Sequence, residues 1–521
     1  MPLPIPSRDP SIRGAGRGTQ LAQSTRFPSP IGGWNVYDSI AAMDPVYSLI
    51  MDNIIPTTSD CTVRKGYQSF ATGLGGNVET LFNYGGPSAQ KLLAAANGSV
   101  FDVTAGGAVG AALGTGYTSN RWQFTNFGTP GGEFIVAVNG ADTPWNFNGT
   151  TIQTTPAITG LTSSTIINIC AYQQRLYFVV KNSLAFWYLP VNSIGGAATS
   201  FDLSSLFPLG GHLVAIGSWS RAGLTEQQDL IVFLTNMGEF AVYAGTDPGD
   251  ATQWALQNRG RIGVPVGYRC IEKIGADLYI ICQDGLVALS QVLWLGRVDT
   301  TKAISQKIGS AVNTATQLYG DNFGWQIFLY PRGNLCIVNV PISQNQTIQQ
   351  YCADTVTGAW CRFININANC WALLNDDPYF GGTDGAVYKW DTGYSDNGSA
   401  INWECRQAFV TMGDPGLNKL WTLIRPIFRY AGTPAIKIVL EVDYALDIPQ
   451  VPPSLPSSPE SEWDTALWDT APWSDGQTIS ELWSSVGGLG RVCAIHMKGA
   501  TLAQLSWLAT DFTFKQTAGL I

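Results

Sequence analysis

The run LIVFLTNMGEFAVYAG (residues 230–245) decides the fold. Five apolar residues in succession, Leu230 to Leu234, lead into a turn centred on Gly238, and a second apolar run, Phe240 to Ala244, leads out of it. Continuous β-branched and aromatic residues broken by a glycine turn form a local hairpin signal. The glycine and the two-residue period argue against a helix. The same unit recurs as LLAAANGSVFDV (92–103), FIVAVNGADTPWNFNG (134–149), RLYFVVKNSLAFWYL (175–189), LYIICQDGLVALS (278–290), QIFLYPRGNLCIVNV (326–340) and DPYFGGTDGAVYKW (377–390). Their turns fall near Gly98, Gly140, Ser183, Gly238, Gly285, Gly333 and Gly385, an interval of roughly 42 to 55 residues. That interval is the length of one four-stranded propeller blade. The expected fold is therefore all-β, a β-propeller. Its expected blade number is six, with one hairpin shared at the closure or lying outside the ring, and seven is the alternative. A stack of β-sandwiches with similar turn spacing is the alternative.

Working outward, the chain divides into an extended N-terminal arm (1–33), a platform segment (34–90), the propeller (91–399) and a C-terminal region (400–521). Past residue 400 the blade spacing stops. The strand-like runs WECRQAFVTM (403–412), LWTLIRPIFRY (420–430) and AIKIVLEVDY (435–444) precede a Pro-rich linker at 449–460. With the platform segment they are expected to build a second β-rich domain. At 521 residues the chain is long enough for more than one core.

The arm holds six prolines and sets Arg8, Arg13, Arg17 and Arg26 against the single acid Asp9. Such a segment cannot offset its own ordering entropy and is expected to dock on a partner. Trp34 at its end is expected to face a partner as well. So are Trp463, Trp468 and Trp473, which follow the linker in a Trp-Asp-Thr repeat. Tryptophans of this kind anchor one protein surface on another more often than they stack on sugar.

Charged residues make up only 13% of the chain while hydrophobic residues make up 45%, so much of the surface is expected to be covered by neighbouring subunits. The net charge of −9 argues against a protein that grips nucleic acid, because phosphate neutralisation needs clustered Lys and Arg. A charge-poor acidic wall is compatible with DNA sliding past. The ten cysteines include no CxxC pair, and the nine-residue gaps between Cys352, Cys361 and Cys370 fit no zinc pattern. Buried thiols made in a reducing cytoplasm are the expectation. No signal peptide and no membrane span is expected.

Catalytic chemistry finds little to stand on. His212 and His496 are the only histidines, and no GxSxG element accompanies either. The glycine-rich stretch GLGGNVET (73–80) lacks the Gly-Lys-Ser/Thr ending of a phosphate loop. The acids Asp376, Asp377 and Asp384, or Asp464 and Asp469, sit in turns or beside tryptophans, where aspartate is ordinary. The expectation is a non-enzyme with no catalytic residues, cofactor or metal.

The stretch PIGGWNVYDSIAAMDPVYSLIMDNIIPTTSDCTVRKGYQSF (30–70) resembles the start of tail proteins of short-tailed bacteriophages, through Gly32, Gly33, Asn35, Asp38, Ser39, Asn53, Pro56, Arg64 and Gly66. Residues 213–256, 271–290, 354–363 and 380–390 are similar to the same group, the podovirus tail hub or nozzle protein, also called the head-closure or tail stabilisation protein. The resemblance implies a structural virion protein of the tail, assembled in the host bacterial cytoplasm. It implies a hexameric ring below the portal and a tail adaptor protein, closing the packaged head and acting as the DNA ejection conduit. It also implies a tail needle or plug and tailspikes or fibres as partners, with double-stranded DNA passing through unbound. No catalytic residues come with it. The competing expectations are a carbohydrate-recognising receptor-binding propeller and a propeller glycosidase.

Overall fold

The computed structural model describes residues 22–87, 90–222, 227–295, 303–431, 434–447, 449, 478–479 and 483–516. Seven antiparallel sheets are arranged in sequence order. Blade 1 comprises Val78–Gly85, Gln90–Ala96, Ser99–Asp102 and Gly114–Thr115, and blade 2 comprises Gln123–Thr129, Gly132–Val138, Trp145–Phe147 and Ile152–Gln153. Blade 3 comprises Ile166–Tyr172, Arg175–Val180, Ala185–Tyr188 and Thr199–Asp202, and blade 4 comprises Leu213–Ala222, Gln227–Thr235, Glu239–Gly245 and Trp254–Arg261. Blade 5 has three strands, Ile271–Ile274, Asp277–Cys282 and Gly285–Ala288, and the helices Leu289–Leu295 and Gly309–Tyr319 follow it. Blade 6 comprises Gln326–Tyr330, Leu335–Ser343, Thr347–Asp354 and Trp360–Phe363. The first strand of each blade lies against the first strand of the next, and Ala368–Leu374 of blade 7 returns to Val78–Gly85 of blade 1. The ring is closed, and each of the seven hairpins belongs to its own blade. The blade count is seven and not the expected six, because no hairpin is shared at the closure or left outside the ring.

Closure has a definite covalent logic. Blade 7 takes Ala368–Leu374, Asp377–Gly382 and Val387–Trp390 from the end of the propeller, and its fourth strand, Tyr67–Thr72, from before blade 1. Tyr67 lies opposite Trp390, so the two ends of the ring are hydrogen-bonded to one another. The ring therefore begins at residue 67. The expected boundary at 90/91 falls inside the first hairpin of blade 1, because the apolar run Val78 to Tyr84 is itself the innermost strand.

The hairpin run at 230–245 shows why this sequence makes blades. Ile231 and Phe233 point into the layer between blades 3 and 4, beside Phe186 and Tyr243, whereas Val232 and Leu234 enter the main core. A strand buried on both faces needs a continuous apolar run instead of alternation. Between these blades Phe186 stacks on Phe233 with ring centroids 4.3 Å apart, and Tyr177 stacks on Trp254 at 6.0 Å. At 97–98 the turn residues Asn97 and Gly98 both have positive φ, 48° and 69°, as a tight type I′ hairpin demands.

The remaining strands form the platform. Gly33–Trp34, Tyr47–Asp52, Ser399–Gln407, Cys493–Thr501 and Ala435–Val442 continue the sheet of blade 6, joined to it by pairing of Gly33 with Trp360 and of Asp52 with Arg362. A second sheet of seven strands contains Ile54–Pro56, Cys61–Val63, Leu505–Gln516, Lys419–Tyr430, Thr478–Ile479, Ser484–Gly490 and Gln23–Pro28. The platform is thus built from both chain ends, and its hydrophobic core runs without a break into that of blades 4 to 7. The arm expected over 1–33 needs correction. Gln23–Pro28 pairs residue for residue with Leu505–Gln516, since Thr25 and Phe27 alternate inward and Phe27 packs edge-on against Phe512 at 5.8 Å.

Candidate functional site

The residues that carried the phage-tail resemblance meet at the junction between propeller and platform. Arg64 is fully buried and forms a two-pronged ion pair with Asp396, at 2.8 and 2.7 Å. Its Nε donates to Asn53 Oδ1 at 2.9 Å. That same oxygen accepts the backbone N–H of Ile364, just past blade 6, at 3.0 Å, while Asn53 Nδ2 donates to the carbonyl of Asn402 in the platform at 2.7 Å. Asn53 has a φ of 59°, which asparagine tolerates better than most side chains. One amide therefore ties blade 6, the platform and the strand leading into blade 7. A buried guanidinium costs several kcal/mol in lost hydration unless all its donors are satisfied, which is why such groups occur as networks.

Beside it Arg362 holds Asp52 through two 2.7 Å contacts and lies over the Trp34 ring at 5.5 Å. Burial raises the Asp52 pKa, and Arg362 opposes that shift only in part. Gly33 has a φ of +84°, and a Cβ there would sit 2.5 Å from the Trp360 carbonyl oxygen. Asn35 is buried, donates to Asp38 at 2.7 Å and accepts the N–H groups of Tyr37 and Asp38. Lys307, just ahead of the Gly309–Tyr319 helix, closes this corner by pairing with Asp38 at 2.8 Å. Every one of these groups has a structural partner.

The propeller axis holds a cavity of about 340 Å3, walled by first strands of all seven blades. Its polar lining includes Asn83, Gln123, Asn168, Glu272 and Gln326. Gln326 is held to the Trp371 backbone at both ends, and Asn168 donates to the Tyr268 carbonyl. Burial raises the Glu272 pKa to about 7. The volume is that of a small-molecule pocket, and duplex DNA, whose major groove alone is about 12 Å wide, does not fit through it.

Arg8, Arg13, Arg17, Trp463, Trp468 and Trp473 lie outside the described residues. Trp34 is buried and not free for a partner as expected, whereas Arg26 stays exposed but already holds an ion pair. Arg26 is bound to Asp511 of its own chain at 2.6 and 3.0 Å, because the strand pairing places the two opposite each other. Trp34 is 6% exposed and donates its indole N–H to the Leu49 carbonyl. Asp377 is shared by Arg332 and Lys389, and Asp384 accepts the Tyr388 hydroxyl. His212 lies in a loop, with its backbone N–H on Asn236. Nine of the ten cysteines are buried, and burial pushes Cys270, for example, up to about 12, far from a reactive thiolate. Among the described residues no three His, Cys, Asp or Glu side chains are grouped to hold a metal, and no helix is long and apolar enough to cross a membrane.

Sequence reading missed the ladder of Glu404, Arg406, Glu441, His496 and Lys498 in the platform, in which Glu441 and His496 are buried. Its signal was present as charged residues two apart, Glu404 with Arg406 and His496 with Lys498, which a strand places on one face.

No family model matches the chain, and no curated protein matches it. Solved structures that are similar include a crystal structure of BBS1N in complex with ARL6DN soaked with mercury, at 9% identity and a TM-score of 0.40, covering 63% of this chain and 97% of that one. The lead-soaked form of the same complex is similar at 8% identity and a TM-score of 0.39, covering 64% and 99%.

Proposed function

We propose that this chain is a structural subunit of a short-tailed phage tail, the nozzle or hub below the portal and adaptor, and that it works as a ring of copies. The observation that carries the reading is the junction. Gly33, Asn35, Asn53, Arg64 and Gly66, on which the resemblance rests, are spent on welding propeller to platform and not on a reaction. A Cβ on Gly66 would meet the Ser395 carbonyl at 1.8 Å, so that backbone approach admits only glycine. A rigid two-part body suits a load-bearing wall between the packaged head and the outside.

The axial cavity of one propeller is too small for a duplex, so the conduit lies between copies, enclosed by a ring. An acidic chain of net charge −9 suits such a wall, since each tight phosphate contact would have to be broken as DNA moves. Mass measurement of native tails tests the ring, with six copies expected, and a single copy per tail overturns it. Gel-shift assays of the purified protein should give no tight, salt-dependent binding of double-stranded DNA. Such binding would instead favour a packaging or anchoring role.

A further inference from the structure

Beside the axial cavity, and sharing Gln123, Tyr268 and Arg269 with it, a second pocket of about 240 Å3 opens to solvent. Its charge is the reverse of the chain's. Arg121, Lys181 and Arg269 line it against the single carboxylate of Asp321, in a protein whose net charge is −9.

These cations are held in place. Arg269 donates one terminal nitrogen to the Glu79 and Trp122 carbonyls and to Thr80 Oγ1, at 3.2, 3.0 and 2.7 Å. Burial pulls its pKa below the ordinary value, with Cys370 and Glu79 opposing that shift and the nearby Arg121 adding to it. Arg121 pairs with Glu79 through Nε at 3.1 Å, which leaves its two terminal nitrogens without a hydrogen bond among the described residues. Both guanidinium groups lie over the Phe323 ring, at 4.4 and 5.4 Å, and this fixes their spacing. The Lys181 stem runs along Gly140, where a Cβ would come within 3.0 Å of Cε. No hydrogen bond or ion pair engages its ammonium group among the described residues. On the rim, Asn139 is tied to the Ser119 carbonyl and to Asp142, at 2.9 and 2.7 Å.

We propose that this pocket binds an anionic saccharide unit, its carboxylate or phosphate against Arg121 and Lys181 and its hydroxyls toward Asp321. Two cations with unused donors supply charge-assisted hydrogen bonds to the acid. A carboxylate in the same lining repels a bare anion but accepts hydrogen bonds from sugar hydroxyls, and the volume matches one or two sugar rings. The proposal is independent of the tail reading above.

Calorimetric titration of the full chain with glucuronate, glucose 6-phosphate, glucose and inorganic phosphate is the test. Glucuronate or glucose 6-phosphate should bind saturably, whichever acid group the site prefers, and more tightly than glucose or inorganic phosphate. Lys181→Gln should weaken that binding about ten- to hundredfold, the usual loss for a hydrogen bond to a charged group. Lys181 is exposed and without an ion pair or hydrogen bond on its ammonium group among the described residues, so this variant should keep the wild-type melting temperature. Asp321→Asn should narrow the gap between the sugar acids and inorganic phosphate. Glucose or phosphate binding as tightly as the sugar acids, no saturable binding of either acid, or binding unchanged in Lys181→Gln would each overturn the proposal.

Discussion

Nε2 of His496 lies 2.8 Å from Oε1 of Glu404, and Nδ1 of the same ring lies 3.0 Å from Oε1 of Glu441. One fully buried imidazole thus bridges carboxylates from the two strands flanking its own. Both contacts are hydrogen bonds only when both ring nitrogens carry protons. Arg406 approaches Glu441 at 2.9 Å and Lys498 approaches Glu404 at 2.9 Å, completing a ladder of charge that is buried at its Glu441 end. The Asp447 carbonyl, past the last residue of the Ala435–Val442 strand, also reaches Nδ1, at 3.0 Å.

Burial alone would lower the His496 pKa, but the hydrogen bonds to Glu404 and Glu441 outweigh it and hold it above 6.5. The stabilisation is therefore complete below that ordinary value and is lost as pH rises through the raised one. Urea denaturation across neutral and mildly alkaline pH should show a midpoint that falls as His496 deprotonates. His496→Gln should remove the part of that dependence due to His496 and cost about 1.5–3 kcal/mol below pH 6, since Glu404 and Glu441 lose a charge-assisted hydrogen bond but keep Lys498 and Arg406. A wild-type midpoint that stays flat into the alkaline range would contradict this account.

Glu272 shares that pH direction, but its substitution is predicted to act the opposite way. Burial in the axial cavity wall raises its pKa from 4.5 to about 7. A carboxylate raised on folding destabilises the protein progressively as pH climbs from the lower value to the higher one. Glu272→Gln should therefore be more stable than wild type at pH 8, by up to about 3 kcal/mol, and equal to it at pH 4. Equal gains at both pH values would mean that the benefit comes from packing and not from charge.

The hairpins were legible because each carries its own turn chemistry, so Asn97-Gly98 and the run around Gly238 identify blades without any tertiary knowledge. The closure was not, because Tyr67–Thr72 has no hairpin partner beside it in sequence and finds Val387–Trp390 only through the ring. The mistaken reading of Trp34, and of the last part of the arm as lacking a strand partner in its own chain, has the same origin. A proline-rich, basic terminus reads as an arm until Leu505–Gln516 supplies the strand and the aspartate that occupy it. Asn53 and Arg64 could be quoted as a motif, but their bonds reach residues more than 300 positions away, and no local pattern reveals that.

The arm therefore divides at residue 22. Removing residues 1–22 should leave the melting temperature unchanged, because Gln23–Pro28 still pairs with Leu505–Gln516. Removing residues 1–28 deletes an edge strand, the Phe27–Phe512 contact and one of the two arginines on Asp511, and should lower it by several degrees. Calorimetric scans of the two truncations distinguish these outcomes. A fall already seen with the shorter truncation would place stabilising contacts within residues 1–22.

The junction gives the sharpest test of the two-part body. Arg64 is fully buried, and its partner Asp396 is nearly so, which makes the pair costly to break from one side. Arg64→Ala leaves the Asp396 carboxylate, Asn53 Oδ1 and the Ile364 carbonyl short of a donor, an expected loss of about 3–5 kcal/mol. Asp396→Asn keeps one acceptor for the guanidinium but leaves the buried cation without its counter-charge, and it should cost a comparable amount. If the pair acts as one unit, the double variant Arg64→Met with Asp396→Asn should recover part of that loss, because neither charge is then stranded. A weld at this point also couples the two parts, so wild-type protein should unfold in a single transition when followed by tryptophan fluorescence and by far-ultraviolet dichroism. In Arg64→Ala the two probes should separate, as the platform loosens before the closed ring of blades. Coincident transitions in that variant, with a loss below about 1 kcal/mol, would show that the shared sheet between Gly33 and Trp360 suffices without the ion pair.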